Sequence, residues 1–272
     1  FRISPSLDQI VLFAAFIILS FVFAYIGVEA FRRWSLRKEL LDIPNDRSSH
    51  TRPTPRGGGI VIVIVSMAAH ILAASMWGTG ITWGFVIGGA LVAFISWLDD
   101  LYSLTFIWRF LVHCIAAAVV VVNIGYFSAL APLDSSFTLD LGVVGAVLTG
   151  LWIVWVINAY NFMDGIDGIA GLQAVVAFLG WSAAAWLIGS PAVALFAAAS
   201  GAACLGFLIH NWAPAKIFMG DVGSAFLGFT LAALTPALCR SAGLPSGRAA
   251  ACLDRGCDGA GDVGGVRRRE HR

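Results

Sequence analysis

Long apolar runs recur along this chain, broken by short polar stretches. Each run is about 17–22 residues, enough to cross ~30 Å of hydrocarbon as a helix. The pattern predicts spans near 10–31, 57–76, 82–98, 105–123, 141–157, 169–188, 191–209 and 222–239. A cleaved leader does not fit the first run, which is too long and is followed by a basic loop rather than a small-residue cleavage site. The expected fold is therefore all-α: one polytopic membrane bundle of about eight transmembrane helices.

Composition agrees. Hydrophobic residues make up 59% of the 272, against roughly 45–50% for a soluble domain. A net charge of +1 says little in itself, and no nucleic-acid partner is expected. Lys and Arg fix the orientation instead. Arg32, Arg33, Arg37, Lys38, Arg47, Arg52 and Arg56 crowd one loop, while 77–81, 124–140 and 189–190 have no Lys or Arg. The positive-inside rule makes the basic loop cytoplasmic. Five cysteines suggest no disulfide framework: Cys114, Cys204 and Cys239 fall inside spans, and Cys252 and Cys257 lack metal-site companions.

With that loop inside, span parity returns four polar segments to the same face: 32–56, Asp99-Asp100, 158–168 and 210–221. Carboxylates are costly near a membrane interior. Several on one face, beside Asn, Gly and basic groups, point to metal-assisted chemistry on a phosphorylated substrate. Each segment also has a plainer reading. Asp99 and Asp100 could mark the water interface; equally, they could share a divalent cation, or one could bind metal while its neighbour acts as base. The segment 158–171 reads NAYNFMDGIDGIAG. It could be a Gly/Asp turn, but Asn158, Asn161, Asp164 and Asp167 recur every three residues. That spacing predicts one side of a helical turn, suited to a polar ligand such as a nucleobase or ribose. In 210–224, Asp221 suits a helix N-terminus or a third metal carboxylate, and Phe218 suits packing or stacking on a base. The loop 42–59, which ends in PTPRGGG, is a flexible basic loop or a phosphate cradle built from His50, Arg52, Arg56 and the Gly57-Gly58-Gly59 backbone.

These motifs resemble the polyprenyl-phosphate N-acetylhexosamine-1-phosphate transferases, glycosyltransferase family 4. That family includes the phospho-N-acetylmuramoyl-pentapeptide transferase of peptidoglycan synthesis and the transferases that initiate O-antigen and other polysaccharides. The match runs from Asp42 to about Phe229, carried chiefly by NAYNFMDGIDGIAG and by IFMGDVGS (217–224). The form SSHTRPTPRGGG looks closer to the O-antigen and capsule initiators. The resemblance implies transfer of a sugar-1-phosphate from a UDP-N-acetylhexosamine to undecaprenyl phosphate, with release of UMP. It implies Mg²⁺, with Mn²⁺ as a substitute, and a multi-pass protein of the bacterial inner membrane whose site faces the cytoplasm. It assigns catalysis to Asp99 and Asp100, metal to Asp221, and nucleoside binding to Asn161, Asp164, Asp167 and Phe218; the residues themselves add Asp100 as a second metal ligand and Asn158, His50, Arg52 and Arg56 as substrate-binding groups. A homodimer is compatible with it.

The resemblance has one departure. The family continues with a His-rich cytoplasmic loop and further spans, whereas 240–272 holds seven Arg, seven Gly and no aromatic residue. The expected organisation is thus a membrane transferase domain, 1–239, incomplete by truncation, and an aberrant, disordered tail, 240–272. An inactive homologue that only binds nucleotide, and a cation-coupled transporter, are the competing readings.

Overall fold

The computed structural model describes residues 7–44, 52–79, 82–130 and 139–241. Among them are eight long helices: α1 (Leu7–Arg37), α2 (Gly59–Trp77), α3 (Trp83–Tyr102), α4 (Phe106–Asn123), α5 (Gly142–Met163), α6 (Ile169–Leu187), α7 (Pro191–Asn211) and α8 (Asp221–Ser241). All eight are long and apolar enough to span a membrane, so the chain is a multi-pass membrane protein. Two antiparallel ribbons complete it. β1 (Leu41–Asp42) pairs with β2 (Thr54–Pro55), and β3 (Ala129–Leu130) pairs with β4 (Leu139–Asp140).

Helices α7 and α8 form the centre and are buried almost throughout. Helix α7 packs on α6, α1 and α2, and α8 packs on α5, α3 and α2. Small residues allow this, as in membrane bundles generally, where close backbone approach supplies the packing. A Cβ on Gly206 of α7 would sit 2.7 Å from the Phe21 carbonyl of α1, and one on Gly228 of α8 would sit 2.8 Å from Ile157 Cα of α5. Phe85, Phe196, Phe226 and Phe229 fill the space between α3, α7 and α8. Phe85 meets Phe196 edge-on at 5.1 Å between ring centres.

Several helices outrun their apolar stretches. Helix α1 continues to Arg37, helped by Glu29 pairing with Arg32 at 2.8 Å and Arg33 at 2.7 Å. Helix α3 carries Asp99 and Asp100 in its last turns, and α5 carries Asn158 and Asn161. A helix does not stop where hydropathy falls if its polar side chains find partners, and these do. One expectation fails here. The quartet 158, 161, 164, 167 does not share a helical turn. Helix α5 ends at Met163, Asp164 occupies the C-cap with ψ 39°, and Asp167 lies in the turn before Gly168. Gly168, at φ +78°, reverses the chain into α6.

Antiparallel succession puts the ends of α3, α5 and α7 beside the starts of α2, α4, α6 and α8. The polar segments meet at that end of the bundle. The tail 242–272, and His50, lie outside the described residues.

Candidate active site

The start of α8 is held by the end of α3. The carboxylate of Asp100 accepts the backbone N–H of Asp221 at Oδ1 and of Val222 at Oδ2, both at 3.1 Å. The first turn of a helix leaves N–H groups without intrahelical partners and carries positive dipole charge. Asp100 satisfies both demands from another helix. Its own carbonyl accepts a hydrogen bond from Arg56.

Its neighbour Asp99 faces differently. Asp99 Oδ1 accepts the Leu104 N–H at 2.6 Å, which locks the turn after α3. Asp99 Oδ2 accepts from Arg109 Nη1 at 2.6 Å, and the same nitrogen donates to Asp221 Oδ2 at 3.0 Å. Arg109, in the first turn of α4, therefore ties α3 to α8 through one cationic atom. Arg109 is given no role at the site by the sequence alone. The available signal was a lone Arg in an apolar helix, where a partner is obligatory.

The segment 54–59 packs on the chain before α8. Phe218 N–H donates to the Pro55 carbonyl at 2.8 Å, Gly58 N–H to the Phe218 carbonyl at 3.0 Å, and Gly59 N–H to the Met219 carbonyl at 2.9 Å. The expected phosphate cradle is thereby corrected: the Gly58 and Gly59 amides serve chain pairing. The glycines are needed for contact. A Cβ on Gly59 would lie 2.3 Å from Gly223 Cα. One on Gly220, at φ +76°, would lie 2.7 Å from Asp100 Oδ2 and 3.0 Å from Gly57. Of the basic loop, Arg56 thus reaches the acid pair, while Arg52 is exposed with no side-chain partner among the described residues.

The end of α5 completes the site. Asn161 Nδ2 donates to Ser224 Oγ at 3.0 Å, reaching the first turn of α8. Asn158 turns back to the Val154 carbonyl at 2.7 Å and stands 3.5 Å from His113 Nδ1, one turn along α4 from Arg109. Asp164 is half-buried in the loop after α5. Burial, reinforced by Asp221, Asp100 and Asp167, pushes its carboxyl up to about 8. Asp167 is turned away, accepting the Ala215 N–H at 2.9 Å. Asn211, buried at the end of α7, accepts the Gly168 N–H and donates to the Ile217 carbonyl, both at 3.0 Å. It knots the loop after α5 to the loop before α8. His210 serves α1: it stacks on Tyr25 at 4.8 Å, and its Nε2 lies 3.1 Å from the Tyr25 carbonyl.

The structure thus brings Asp99, Asp100, Asp164, Asp221, Arg56, Arg109 and Asn161 to one end of the bundle, with Phe218 half-buried beside them. Among the described residues, no three or more His, Cys, Asp or Glu side chains form a ready-made metal cage. Two carboxylate oxygens nevertheless flank one cation, the nitrogen of Arg109. Hard oxygen donors, few in number, suit an ion that keeps waters and substrate phosphates in its shell.

An apolar multi-pass bundle that gathers acidic and basic side chains at one end defines an integral membrane protein with a charged cluster at the bilayer surface. The comparison with known proteins is more specific. The pattern of glycosyl transferase family 4 matches residues 82–238, more than half of the chain. The chain belongs to that family.

It is 30% identical over 219 residues to the probable undecaprenyl-phosphate N-acetylglucosaminyl 1-phosphate transferase of Bacillus subtilis, covering 75% of this chain and 57% of the relative. It is 34% identical to the decaprenyl-phosphate N-acetylglucosaminephosphotransferase of Mycobacterium leprae, covering 72% and 54%. With the phospho-N-acetylmuramoyl-pentapeptide-transferase of a Picosynechococcus it shares 37% identity, over 66% and 52%. The chain spans little more than half the length of these relatives.

Proposed function

We propose that the chain forms the nucleotide-sugar and metal end of a transferase that moves an N-acetylhexosamine-1-phosphate from a UDP-sugar onto undecaprenyl phosphate. The reaction would take place at the cytoplasmic face of the bacterial inner membrane and would initiate a lipid-linked, O-antigen-like polysaccharide. The observation that carries this reading is the junction of Asp99, Arg109 and Asp221, formed by three helices at the bundle end where the other motifs of the family resemblance also meet. The names of the relatives supply the chemical class.

In this reading an oxygen of the lipid phosphate forms a bond to the sugar-bearing phosphorus of the donor. The bond from that phosphorus to the bridging oxygen breaks, and UMP leaves. Both substrates are anionic, so the work is positioning and charge stabilisation. Asp221 and Asp99 would hold Mg²⁺, which would neutralise the pyrophosphate and stabilise the departing UMP. Asp100, first considered as a ligand, holds α8 so that Asp221 is aimed. Asp99 orients the lipid phosphate. Arg56 supplies positive charge at the cleft, as do Arg52 and His50 of the loop before it. Asn161, Asp164 and Asn158 recognise the nucleoside, Phe218 stacks on uracil, and Asp167 fixes the loop that bears them.

The test incubates purified protein with Mg²⁺, radiolabelled UDP-N-acetylhexosamines and undecaprenyl phosphate, then extracts the lipid. Labelled lipid that disappears in Asp221→Asn is the expected result. Binding of UDP-sugar without transfer would restrict the chain to the donor half of the reaction. Failure to bind any UDP-sugar would overturn the reading.

A further inference from the structure

We propose that Arg109 is a resident cation which a divalent ion displaces, so that metal entry itself releases this guanidinium onto the substrate phosphates. The inference rests on the phosphoryl-transfer reading above and adds an order of events to it. One nitrogen, Nη1, lies 2.6 Å from Asp99 Oδ2 and 3.0 Å from Asp221 Oδ2. It stands where two carboxylates from different helices converge. The neighbouring carboxylate oxygens are already committed: Asp99 Oδ1 accepts the Leu104 N–H, and Asp100 accepts the Asp221 and Val222 N–H groups of α8.

Mg²⁺ holds oxygen ligands at about 2.0–2.1 Å. An ion drawing in Asp99 Oδ2 and Asp221 Oδ2 therefore leaves no place between them for the Arg109 nitrogen. A guanidinium cannot escape by losing its proton, since Arg stays protonated in proteins. It has to swing. The side chain is 31% exposed, so it can move toward solvent. Once released, its planar fork matches phosphate oxygens. Before metal arrives, Arg109 keeps Asp99 and Asp221 from repelling one another. After metal arrives, the same charge is available to a nucleotide diphosphate. Metal and nucleotide then bind with positive coupling, and the coupling is reciprocal.

The test measures Mn²⁺ binding to the purified full chain by electron paramagnetic resonance, with and without UDP. Arg109→Met should bind Mn²⁺ alone more tightly, by roughly three- to tenfold, as expected for removal of a partly exposed competing ion pair. The enhancement of Mn²⁺ binding by UDP should shrink in the same variant. Equal or weaker Mn²⁺ binding by Arg109→Met would overturn the proposal.

A second measurement needs no variant. Phenylglyoxal modification of Arg109, followed by peptide mass spectrometry, should quicken when Mg²⁺ is added and slow again when UDP follows. Unchanged or slower labelling with Mg²⁺ alone would also overturn it. Displacement of Arg109 by metal in a chain that binds no UDP-sugar would keep this inference and remove the transferase reading.

Discussion

The carboxylate of Asp100 and the backbone of Asp221 are joined at 3.1 Å, so the two acids meet as cap and helix rather than as a pair of side chains. Asp100 also takes the Val222 N–H. Asp100→Ala should cost about 1–3 kcal/mol, because two buried N–H groups lose their acceptor. Asp100→Asn keeps one acceptor oxygen and should cost less. Thermal unfolding in detergent ranks the two variants. If Asp100 acts through the position of Asp221, Mn²⁺ affinity should fall in the same order.

The close contact of α2 with α8 depends on hydrogen in place of a side chain. Gly59→Ala drives a methyl to 2.3 Å from Gly223 Cα, and Gly220→Ala meets both Asp100 and an unfavourable φ of +76°. Each should destabilise by about 1–3 kcal/mol. Gly150→Ala on α5 is the control, since its Cβ meets nothing within 4 Å. That variant should be neutral or slightly stabilising through better helix propensity. Equal melting temperatures for Gly59→Ala and Gly150→Ala would contradict the packing account.

Hydropathy alone located the eight spans and, through their parity, the end of the bundle where the polar segments meet. It could not assign atoms. The three-residue repeat from Asn158 to Asp167 has helical spacing, yet the helix stops at Met163 because Asp164, Gly165 and Gly168 favour a turn over continuation. The glycines at 57–59 suit a phosphate loop as well as a tight junction. Only the approach of 218–223 decides between them. Arg109 escaped the sequence reading, because the pairing of one nitrogen with acids on α3 and α8 depends on helix spacing that no local pattern encodes.

The loop acid Asp164 gives a pH signature. Its carboxyl is raised to about 8 in the folded chain, against 3.8 for an unperturbed Asp. The native state therefore holds a proton that the unfolded chain releases at lower pH. That contribution to stability is complete below about pH 4 and is lost as pH rises through about 8. Metal-free protein should melt at falling temperature across this window. Asp164→Asn, which cannot ionise, should flatten the decline and exceed the parent in stability at the alkaline end. A slope unchanged by the substitution would remove Asp164 as its source.

Asn211 tests whether the loop after α5, proposed to read the nucleoside, is held from behind. Its amide satisfies the Gly168 N–H on one side and the Ile217 carbonyl on the other, both at 3.0 Å, and the side chain is buried. Asn211→Ala strands both groups, at about 1–3 kcal/mol for each one that water cannot reach. Asn211→Asp retains the acceptor for Gly168 but sets carboxylate oxygen against the Ile217 carbonyl, with no donor between them. The Asp variant should therefore be less stable than its near-identical shape suggests, and its deficit should ease at low pH, where a protonated carboxyl regains a donor. Because Asn211 touches both the loop carrying Asp164 and Asp167 and the segment carrying Phe218, UDP binding should weaken along with melting temperature in both variants. Calorimetric titration with UDP beside thermal unfolding checks the coupling. Full UDP affinity in a destabilised Asn211→Ala would confine Asn211 to stability and free the nucleoside loop from this brace.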